Sequence, residues 1–425
     1  MDESFDAVVI GGGPAGSTVA TLASQEGRRI CVLERERFPR FHVGESLLPC
    51  NNLLFERLGL LAQLHDQAVH IRKHGATFLD ATGERRQTYR FDDALTPDHP
   101  YAFQVERAGF DQMLLTRSRE VGADVREGWR AAELLRDGGR VLGVKANAPD
   151  GQAHDIGASL VVDASGRDTF IASLQRLREP HPELRKACVW AHFDGIEREP
   201  GEDAGNIRIV AFEDGWAWVI PFASGRTSVG FVLHGRCFRD RTGDIESFWR
   251  ERLCRAPALA EIMEPAERVC DFQTVSTVAY TTRQWAGDGW VVAGDSAIFL
   301  DPVFSTGVLL AMTAGALVAD VIAAEAGSGW KPTGATFAPY ERTIRSALGE
   351  VYPFIQGFYD PSFLDRFMRP SDLFRVKQAV TSLLAGDVLP KWTHRMRRSV
   401  FWAGVRRTRR LRASENLPVE STLTH

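Results

Sequence analysis

The sequence predicts an α/β fold: a Rossmann-like nucleotide-binding domain with an inserted antiparallel β-sheet and a helical C-terminal region. An apolar segment at residues 5–10 leads into the glycine-rich run GGGPAGSTVA, a pattern typical of a strand entering a helix. Later segments such as GATFLD and TSVGFVLH alternate apolar and polar residues, as antiparallel strands with one exposed face do. The chain beyond residue 345 is aromatic-rich and has the pattern of helices. These three observations give the fold class.

The composition is typical of a soluble globular protein and excludes several other classes of protein. The chain has 425 residues, of which 44% are hydrophobic and 25% charged, enough for a large core and more than one domain. The net charge of −4 gives no sign of nucleic acid binding. The six cysteines lack the spacing of a zinc site, and no signal-peptide pattern precedes the first strand, which together favour the cytoplasm. The apolar run at residues 307–327 is predicted to be a buried helix rather than a membrane span.

The N-terminal glycines predict a dinucleotide site. Gly11, Gly13 and Gly16 have the G-x-G-x-x-G spacing, and Ala15 lies beside the third glycine. In this motif the first glycine makes the turn, the second lets a pyrophosphate approach the backbone, and the third lets helix and strand pack closely. Glu34 ends the next predicted strand, near the distance expected for an acid that binds a ribose hydroxyl.

Two later segments predict that the dinucleotide is FAD rather than NAD. LVVDASGR (160–167) and WVVAGDSA (290–297) each read as an apolar strand with an acid at its carboxyl end, Asp295 in the second. Ligands of open α/β sheets bind beyond the carboxyl ends of the strands, so these segments would complete an FAD cradle. The alternative is that both are ordinary strand–turn junctions. There is no second nucleotide fingerprint, so stable binding of NAD(P)H is not expected.

The expected domains are discontinuous along the chain. The FAD-binding domain is expected at residues 1–72, 104–185 and 272–345. The substrate-side antiparallel sheet is expected at residues 73–103 and 186–271. The helical C-terminal region is expected at residues 346–425. The last region ends in a basic tail, since residues 391–412 contain one lysine, eight arginines and no acid.

Several motifs resemble those of the flavin-dependent halogenases, a family within the flavin monooxygenase and geranylgeranyl reductase superfamily. They are RFPRFHVGESLLP (37–49), QVERAGFDQMLL (104–115), GWAWVIP (215–221) and FLDPVFSTG (299–307). GWAWVIP supports the superfamily more than halogenation, because its tryptophans could simply pack beneath a flavin. The resemblance covers the chain up to about residue 390, is closest to the phenol- and pyrrole-type branch, and implies FAD contacts at Ser46, Arg107, Pro302 and Gly307.

Lys73, in RKHGATF, occupies the position of the family's catalytic lysine. The resemblance implies that reduced FAD and dioxygen oxidise a chloride or bromide ion to hypohalous acid. The lysine would then hold this oxidant and present it to an electron-rich aromatic ring. Desolvation would lower the lysine pKa and favour the neutral, nucleophilic amine. The alternative is a lysine at a strand edge with its ammonium group in solvent.

The start of the apolar run is the candidate halide site. Ser305, Thr306 and Gly307 lie at the predicted N-terminus of this helix. Backbone N–H groups are unpaired at a helix N-terminus, and together with the helix dipole they favour an anion. The alternative is that this helix start only faces the flavin, as it does in hydroxylases.

The substrate and partners are less well defined by the sequence. Phe304 stands where the tryptophan-acting relatives carry a glutamate, so phenols or pyrroles, free or tethered to a carrier protein, are expected rather than free tryptophan. A separate flavin reductase is expected to supply reduced FAD. The arginine-rich tail either docks an acidic carrier protein or is a solvated helix face. The C-terminal aromatic residues either wall the substrate cavity or only pack.

Three functions compete. The leading one is FAD-dependent halogenation of a phenol- or pyrrole-like ring. The second is an FAD-dependent aromatic monooxygenase or an isoprenoid-type reductase that does not halogenate. The third is a catalytically silent flavoprotein that acts as a binding partner in a biosynthetic assembly.

Overall fold

A computed structural model describes residues 3–66, 68–96, 98–241 and 243–414. Its strands, in chain order, are β1 (Glu3–Ile10), β2 (Ile30–Glu34), β3 (Ile71–Lys73), β4 (Gly75–Asp80), β5 (Arg86–Arg90), β6 (Ala102–Gln104), β7 (Asp124–Glu127), β8 (Arg130–Asp137), β9 (Arg140–Asn147), β10 (Ala153–Asp163), β11 (Arg178–Asp194), β12 (Ile207–Phe212), β13 (Gly215–Pro221), β14 (Thr227–His234), β15 (Glu267–Arg268), β16 (Gln273–Thr282), β17 (Ala286–Gly287), β18 (Trp290–Val292) and β19 (Ile298–Phe299).

The helices complete the description of the chain. They are α1 (Pro14–Gln25), α2 (Asn51–Leu58), α3 (Leu61–Leu64), α4 (Arg107–Glu120), α5 (Phe170–Leu174), α6 (Gly235–Arg239), α7 (Ile245–Cys254), α8 (Pro257–Ile262), α9 (Thr306–Glu325), α10 (Ala338–Gly357), α11 (Pro361–Phe367), α12 (Val376–Leu384) and α13 (Trp392–Ser414).

The first sheet is the nucleotide-binding one. Its strands follow the order β17-β18-β10-β1-β2-β7, and the hairpin β8–β9 pairs with β10. β1 pairs in parallel with both β10 and β2, so the carboxyl ends of these three strands meet at one edge. All five residues of β2 are buried, as expected for a strand of a parallel sheet covered on both faces.

Helices α1 and α9 pack together beside this sheet. α1 begins at Pro14, directly after the glycine turn, and a proline is well suited to the first turn of a helix because its missing N–H has no intrahelical partner. The approach of the two helices is close, because a Cβ at Gly315 of α9 would lie 2.5 Å from the carbonyl oxygen of Ala15. Within the described residues α9 is the one helix long and apolar enough to cross a membrane, with a mean hydropathy of 2.0. Its packing against α1 instead identifies it as a core helix, as the sequence predicted.

The second sheet has the order β19-β16-β11-β14-β13-β12-β4-β5, with β15 on β11. Its pairs are antiparallel except for β12 and β4, which run parallel. β11 spans residues 178–194 and pairs with β16 on both sides of an irregularity between Pro180 and Arg185. Both strands therefore extend into ranges that the sequence prediction had given to the FAD-binding domain. Strands β3 and β6 form a small separate sheet. The predicted fold class, an α/β nucleotide-binding domain with an inserted antiparallel sheet, is confirmed.

The C-terminal helices form the third part of the molecule. α13 lies against α11 and α12 through a stripe of buried residues, namely His394, Arg398, Phe401 and Val405. The arginine in this stripe is bound on both sides, since Arg398 contacts Glu350 at 3.0 Å and Asp387 at 3.1 Å. The basic tail of the sequence is therefore, up to residue 414, a packed helix.

Candidate active site

A cavity of about 760 Å³ opens at the carboxyl ends of β1, β2 and β10 and continues to strand β13 of the second sheet. This is the edge at which open α/β sheets bind ligands. Every residue predicted to bind the cofactor or the halide lines this cavity except Gly16. Those that line it are Gly11, Gly13, Ala15, Glu34, Ser46, Arg107, Asp295, Pro302, Ser305, Thr306 and Gly307.

The glycine turn at one end of the cavity leaves no room for side chains at two positions. Gly11 has a φ of +101°, and a Cβ there would lie 2.4 Å from the carbonyl oxygen of Ala164. A Cβ at Gly16 would lie 1.9 Å from the carbonyl oxygen of Gly11. At Gly13 the only atom near a Cβ would be Nη2 of Arg40, at 3.5 Å. The backbone is thus open to the cavity at Gly13, where α1 begins without a side-chain cap.

Glu34 is fixed at the end of β2. Its Oε2 accepts a hydrogen bond from the backbone N–H of Gly12 at 2.7 Å, and its Oε1 accepts one from Glu36 at 2.8 Å. The carboxylate therefore holds the glycine turn in place. Each carboxylate oxygen can accept more than one hydrogen bond, so Glu34 can also accept one from a ligand hydroxyl.

Arg107 lines the cavity, but most of its donors are used inside the protein. Its Nε and Nη2 donate to the two carboxylate oxygens of Asp111 at 2.7 and 2.9 Å, and Nη1 donates to the carbonyl of Val43 at 2.7 Å. The residue thus braces the loop that carries Ser46. Arg40 was missed by the sequence analysis, although it lies in the quoted segment RFPRFHVGES, because nothing in the sequence showed that it would lie against Gly13.

Two acids, Asp163 and Asp295, lie where β10 and β18 end. Asp163 accepts hydrogen bonds from the backbone of Ser165 and Ile171 and from Ser296, so it ties the two strand ends together. Asp295 lines the cavity, and burial raises its pKa to about 6, against the opposing charges of Arg107 and Arg167.

Lys73 is buried behind the cavity wall. It ends strand β3, is 1% exposed, and donates hydrogen bonds from Nζ to Ser46 Oγ at 2.9 Å and to the carbonyl of Leu47 at 3.0 Å. No carboxylate of the described residues forms an ion pair with it, and burial lowers its pKa to about 7. The alternative of a solvent-exposed strand-edge lysine is wrong. Lys73 does not itself line the cavity, but its hydrogen-bond partner Ser46 does.

The start of α9 faces the cavity with its backbone. Ser305 adopts a left-handed conformation with a φ of +57°, which is unusual for a residue other than glycine, and no side chain caps the helix. A Cβ at Gly307 would meet nothing within 4 Å, so this position is open. Free N–H groups at the start of a 20-residue helix therefore border the cavity.

A buried network connects this turn to the second sheet and to the C-terminal helices. Tyr359 donates a hydrogen bond to Asp301 Oδ2 at 2.5 Å and accepts one from Trp216 Nε1 at 3.1 Å. Asp301 Oδ1 accepts from the backbone of Val303 at 3.0 Å. Nζ of Lys186 lies 3.6 Å from the centroid of the Tyr359 ring, and burial lowers its pKa to about 8. Sequence analysis missed this network, because its members are far apart in the chain.

We expect Tyr359→Phe to lower the free energy of unfolding by about 2 kcal/mol or more. The change removes one hydrogen bond to a buried carboxyl group and leaves the indole N–H of Trp216 without its acceptor. Urea unfolding would measure the loss. Tyr340→Phe is the matched control, since its buried hydroxyl makes one hydrogen bond to the carbonyl of Val292, worth about 1 kcal/mol. Equal losses in both variants would contradict the special role of the Asp301 contact.

Most of the aromatic residues of the C-terminal region pack rather than line the cavity. Phe304 is 4% exposed, and its ring centroid lies 5.7 Å from that of Phe358 and 6.1 Å from that of Phe367. The position at which the tryptophan-acting relatives carry a glutamate is thus part of an apolar cluster. The aromatic side chains that line the cavity from the second sheet are Trp216 and Trp218 of β13.

Comparison with known proteins shows the family. The chain matches the model of the tryptophan halogenase family over residues 6–92 and 81–365. The chain belongs to this family and is a flavin-dependent halogenase. A 1H-pyrrole-2-carbonyl-[peptidyl-carrier protein] chlorinase of Pseudomonas fluorescens is 29% identical to it over 412 residues, which are 91% of this chain and 90% of the relative.

Two further proteins are also similar to this halogenase. A 1H-pyrrole-2-carbonyl-[peptidyl-carrier protein] brominase of Pseudoalteromonas luteoviolacea is 31% identical over 336 residues, which are 77% of this chain and 80% of the relative. The solved structure of the flavin-dependent brominase Bmp2 superposes with a TM-score of 0.83 at 26% identity, and covers 96% of this chain and 99% of that one. The predicted family, the enzyme class and the use of FAD and a halide are confirmed.

The residues of the cavity fit FAD. The open backbone at Gly13, the uncapped start of α1 and the adjacent Arg40 suit a pyrophosphate, and Glu34 suits a ribose hydroxyl. When bound, reduced FAD activates dioxygen and so supplies the oxidising equivalents that a halide needs. The protein contributes the glycine turn, the carboxylate of Glu34, the guanidinium group of Arg40, and Ser46 with the buried Lys73 behind it.

We expect Gly16→Ala to weaken FAD binding by about tenfold or more and to lower stability by about 1–3 kcal/mol. The added methyl group would collide with the carbonyl of Gly11, and only a shift of the glycine turn can relieve this contact. Quenching of FAD fluorescence and urea unfolding would measure the two effects. Gly109→Ala in α4 is the control, because a Cβ there meets nothing within 4 Å and alanine favours a helix. FAD binding by Gly16→Ala equal to that of the control would contradict the assignment.

Proposed function

We propose that this halogenase chlorinates or brominates a pyrrole-like ring, with a phenol-like ring as the second candidate, and that the ring is tethered to a carrier protein. The single observation that carries the proposal is the state of Lys73. It is a buried amine with a pKa lowered to about 7, and its hydrogen-bond partner Ser46 borders the cofactor cavity.

The relatives and the cavity wall support the substrate class. Two curated relatives are named for a pyrrole-2-carbonyl group on a peptidyl carrier protein. The second sheet gives the cavity an apolar, aromatic wall with Trp216 and Trp218 on it, and Phe304 is buried rather than exposed to the cavity. Without a carboxylate at position 304 the ring must be reactive by itself, and pyrroles and phenols are.

Lys73 is proposed as the catalytic residue. At a pKa near 7 about half of the amine is neutral at neutral pH, so it can accept a hydrogen bond from hypohalous acid or react with it to form a haloamine and water. Transfer of the halogen to an aromatic carbon then releases the ring proton. Because the oxidant is small and reactive, holding it behind Ser46 limits damage to the rest of the protein.

The halide is proposed to bind at the start of α9. Ser305, Thr306 and Gly307 border the cavity, and the backbone N–H groups at this helix start favour an anion. The FAD-binding residues belong to the same proposal. They are Gly11, Gly13, Ala15, Gly16, Glu34, Ser46, Arg107, Asp295, Pro302 and Gly307.

A separate flavin reductase is proposed to supply reduced FAD. The glycine turn of β1 is the one nucleotide fingerprint in the sequence, so NAD(P)H has no obvious site of its own. The cytoplasm is the proposed location, since the six cysteines are free in the structure.

The test is an assay of purified protein with FAD, a flavin reductase and NADH. Substrates are free pyrroles, free phenols and a peptidyl carrier protein loaded with pyrrole-2-carboxylate, each with chloride, with bromide and without halide. Mass spectrometry would detect the isotope pattern of a halogenated product. We expect product from the loaded carrier only when halide is present. Hydroxylated product that forms regardless of halide would overturn the proposal in favour of a monooxygenase.

A further inference from the structure

The outer face of α13 is basic at one end and apolar at the other. Opposite its buried stripe, the helix exposes Trp392, Met396 and Val400, with 69%, 57% and 40% of their surface accessible. About two to three turns further along, the same side carries Arg406, Arg407 and Arg410, which are all exposed. We call these six residues the α13 face.

The arginines of the α13 face differ from four other arginines of the helix, which form ion pairs. Arg395 and Arg398 pair with Glu350, while Arg409 and Arg412 pair with Asp360 and Asp365. Those ion pairs fix the helix on the protein.

No ion pair joins Arg406, Arg407 or Arg410 to a carboxylate of the described residues, and residues 391–414 contain no acid. Three positive charges on one exposed helix side repel one another unless a partner neutralises them. The exposed tryptophan at the other end is a residue type enriched in protein interfaces.

The α13 face lies on the outside of the layer that backs the active-site cavity. Beneath it, α13 packs on α11, and Phe367 at the end of α11 contacts Phe304. Phe304 precedes Ser305, which borders the cavity. The helix that carries the α13 face is therefore linked to the edge of the cavity through α11 and Phe304.

We propose that the α13 face is the docking site of an acidic carrier protein that presents the tethered substrate. The inference rests on the proposed function, since only a tethered substrate requires such a site. Charge complementarity favours this partner, because the three exposed arginines fit an acidic protein surface. Trp392, Met396 and Val400 would pack against exposed apolar residues on a helix of the carrier protein. Each of the three arginines would pair with a carboxylate of the carrier.

The test compares the parent with a triple variant, Arg406→Glu, Arg407→Glu and Arg410→Glu. The probe is an acidic peptidyl carrier protein loaded with pyrrole-2-carboxylate, and binding is followed by calorimetry at low and at high salt. The control triple variant, Arg136→Glu, Arg239→Glu and Arg250→Glu, has the same change in net charge at exposed positions on other elements. All three proteins are also assayed with an untethered pyrrole or phenol.

We expect the α13 variant to bind the loaded carrier about tenfold or more weakly and to lose most of the salt dependence of binding. Turnover of a free ring should stay unchanged, because no FAD- or halide-binding residue is altered. The control should bind like the parent.

Equal affinity of parent and α13 variant, or no binding by the parent at low salt, overturns the docking site. The docking site is also overturned if the variant still binds the carrier but loses binding to vesicles of anionic phospholipid. A variant that still binds the carrier but changes its oligomeric state overturns it as well. If the carrier binds through α13 but no ring is halogenated, the proposed function fails and the docking site stands.

Discussion

Replacing Lys73 with methionine is expected to lower the rate of halogenation by at least about 1,000-fold while FAD binding stays intact. Methionine has nearly the same length and fits an apolar site, but it can neither donate a proton nor form a haloamine. The side chain does not line the cofactor cavity, so its loss removes the group behind Ser46 without opening the FAD site.

The measurement separates oxidation of the halide from halogenation of the ring. Product is quantified by mass spectrometry, FAD binding by fluorescence quenching, and released hypohalous acid by a small-molecule trap. We expect Lys73→Met to release oxidised halide without halogenating the substrate. Lys145→Met, at a lysine on β9 far along the chain from the site, is the control. Halogenation by Lys73→Met at the control's rate would remove Lys73 from the mechanism.

The pH profile tests which form of the amine acts. Burial lowers the pKa of Lys73 to about 7, so the amine is protonated below pH 7 and neutral above it. If the neutral amine captures the oxidant, the halogenation rate falls as the pH drops below 7.

The nucleotide-binding part of the site could be predicted because its signals are local. Gly11, Gly13 and Gly16 lie within six residues, and a Cβ at Gly16 would collide with the carbonyl of Gly11 in the same turn. Glu34 follows at the end of the next strand. Such a strand–turn–helix–strand unit carries its own geometry in the sequence, so little long-range packing is needed to place it.

The substrate side could be predicted only in part, because its contacts are long-range. Ser46 meets Lys73 across 27 positions, and Asp301 meets Tyr359 across 58. The sequence named Lys73 by resemblance, but its burial and its partner depend on how the loop after residue 43 folds over β3. Arg107 was predicted from the sequence as a cofactor contact. In the structure it lines the cavity but uses most of its hydrogen-bond donors on Asp111 and on the carbonyl of Val43.

The extent of the second sheet also differs from the sequence prediction, because strand pairing is a long-range contact. The strand β11 runs through the expected boundary between residues 185 and 186, and β16 pairs with it on both sides of that boundary, at residues 178–180 and 185–190. Alternation along one strand does not reveal its partner, so the sequence could not show that these two strands belong together.

The stability of the protein should report directly on the buried amine of Lys73. Its pKa falls from 10.5 in the unfolded chain to about 7 in the folded protein, so between these values the unfolded state binds the extra proton. Stability therefore rises with pH across this window, and the full cost of the buried lysine is present below pH 7. Lys73→Met lacks this cost and this pH dependence.

We expect the free energy of unfolding of the parent, minus that of Lys73→Met, to rise by about 3–4 kcal/mol between pH 7 and pH 10. Other titrating groups are common to both proteins and cancel in the difference, which urea unfolding at several pH values would measure. Lys186→Met is the comparison, because the pKa of Lys186 is lowered only to about 8 and the rise should be about 2–3 kcal/mol. A difference that stays constant with pH would mean that Lys73 remains charged in the folded protein. A charged ammonium has no lone pair for a halogen, so that result would leave hydrogen bonding to the oxidant as the only role open to this residue.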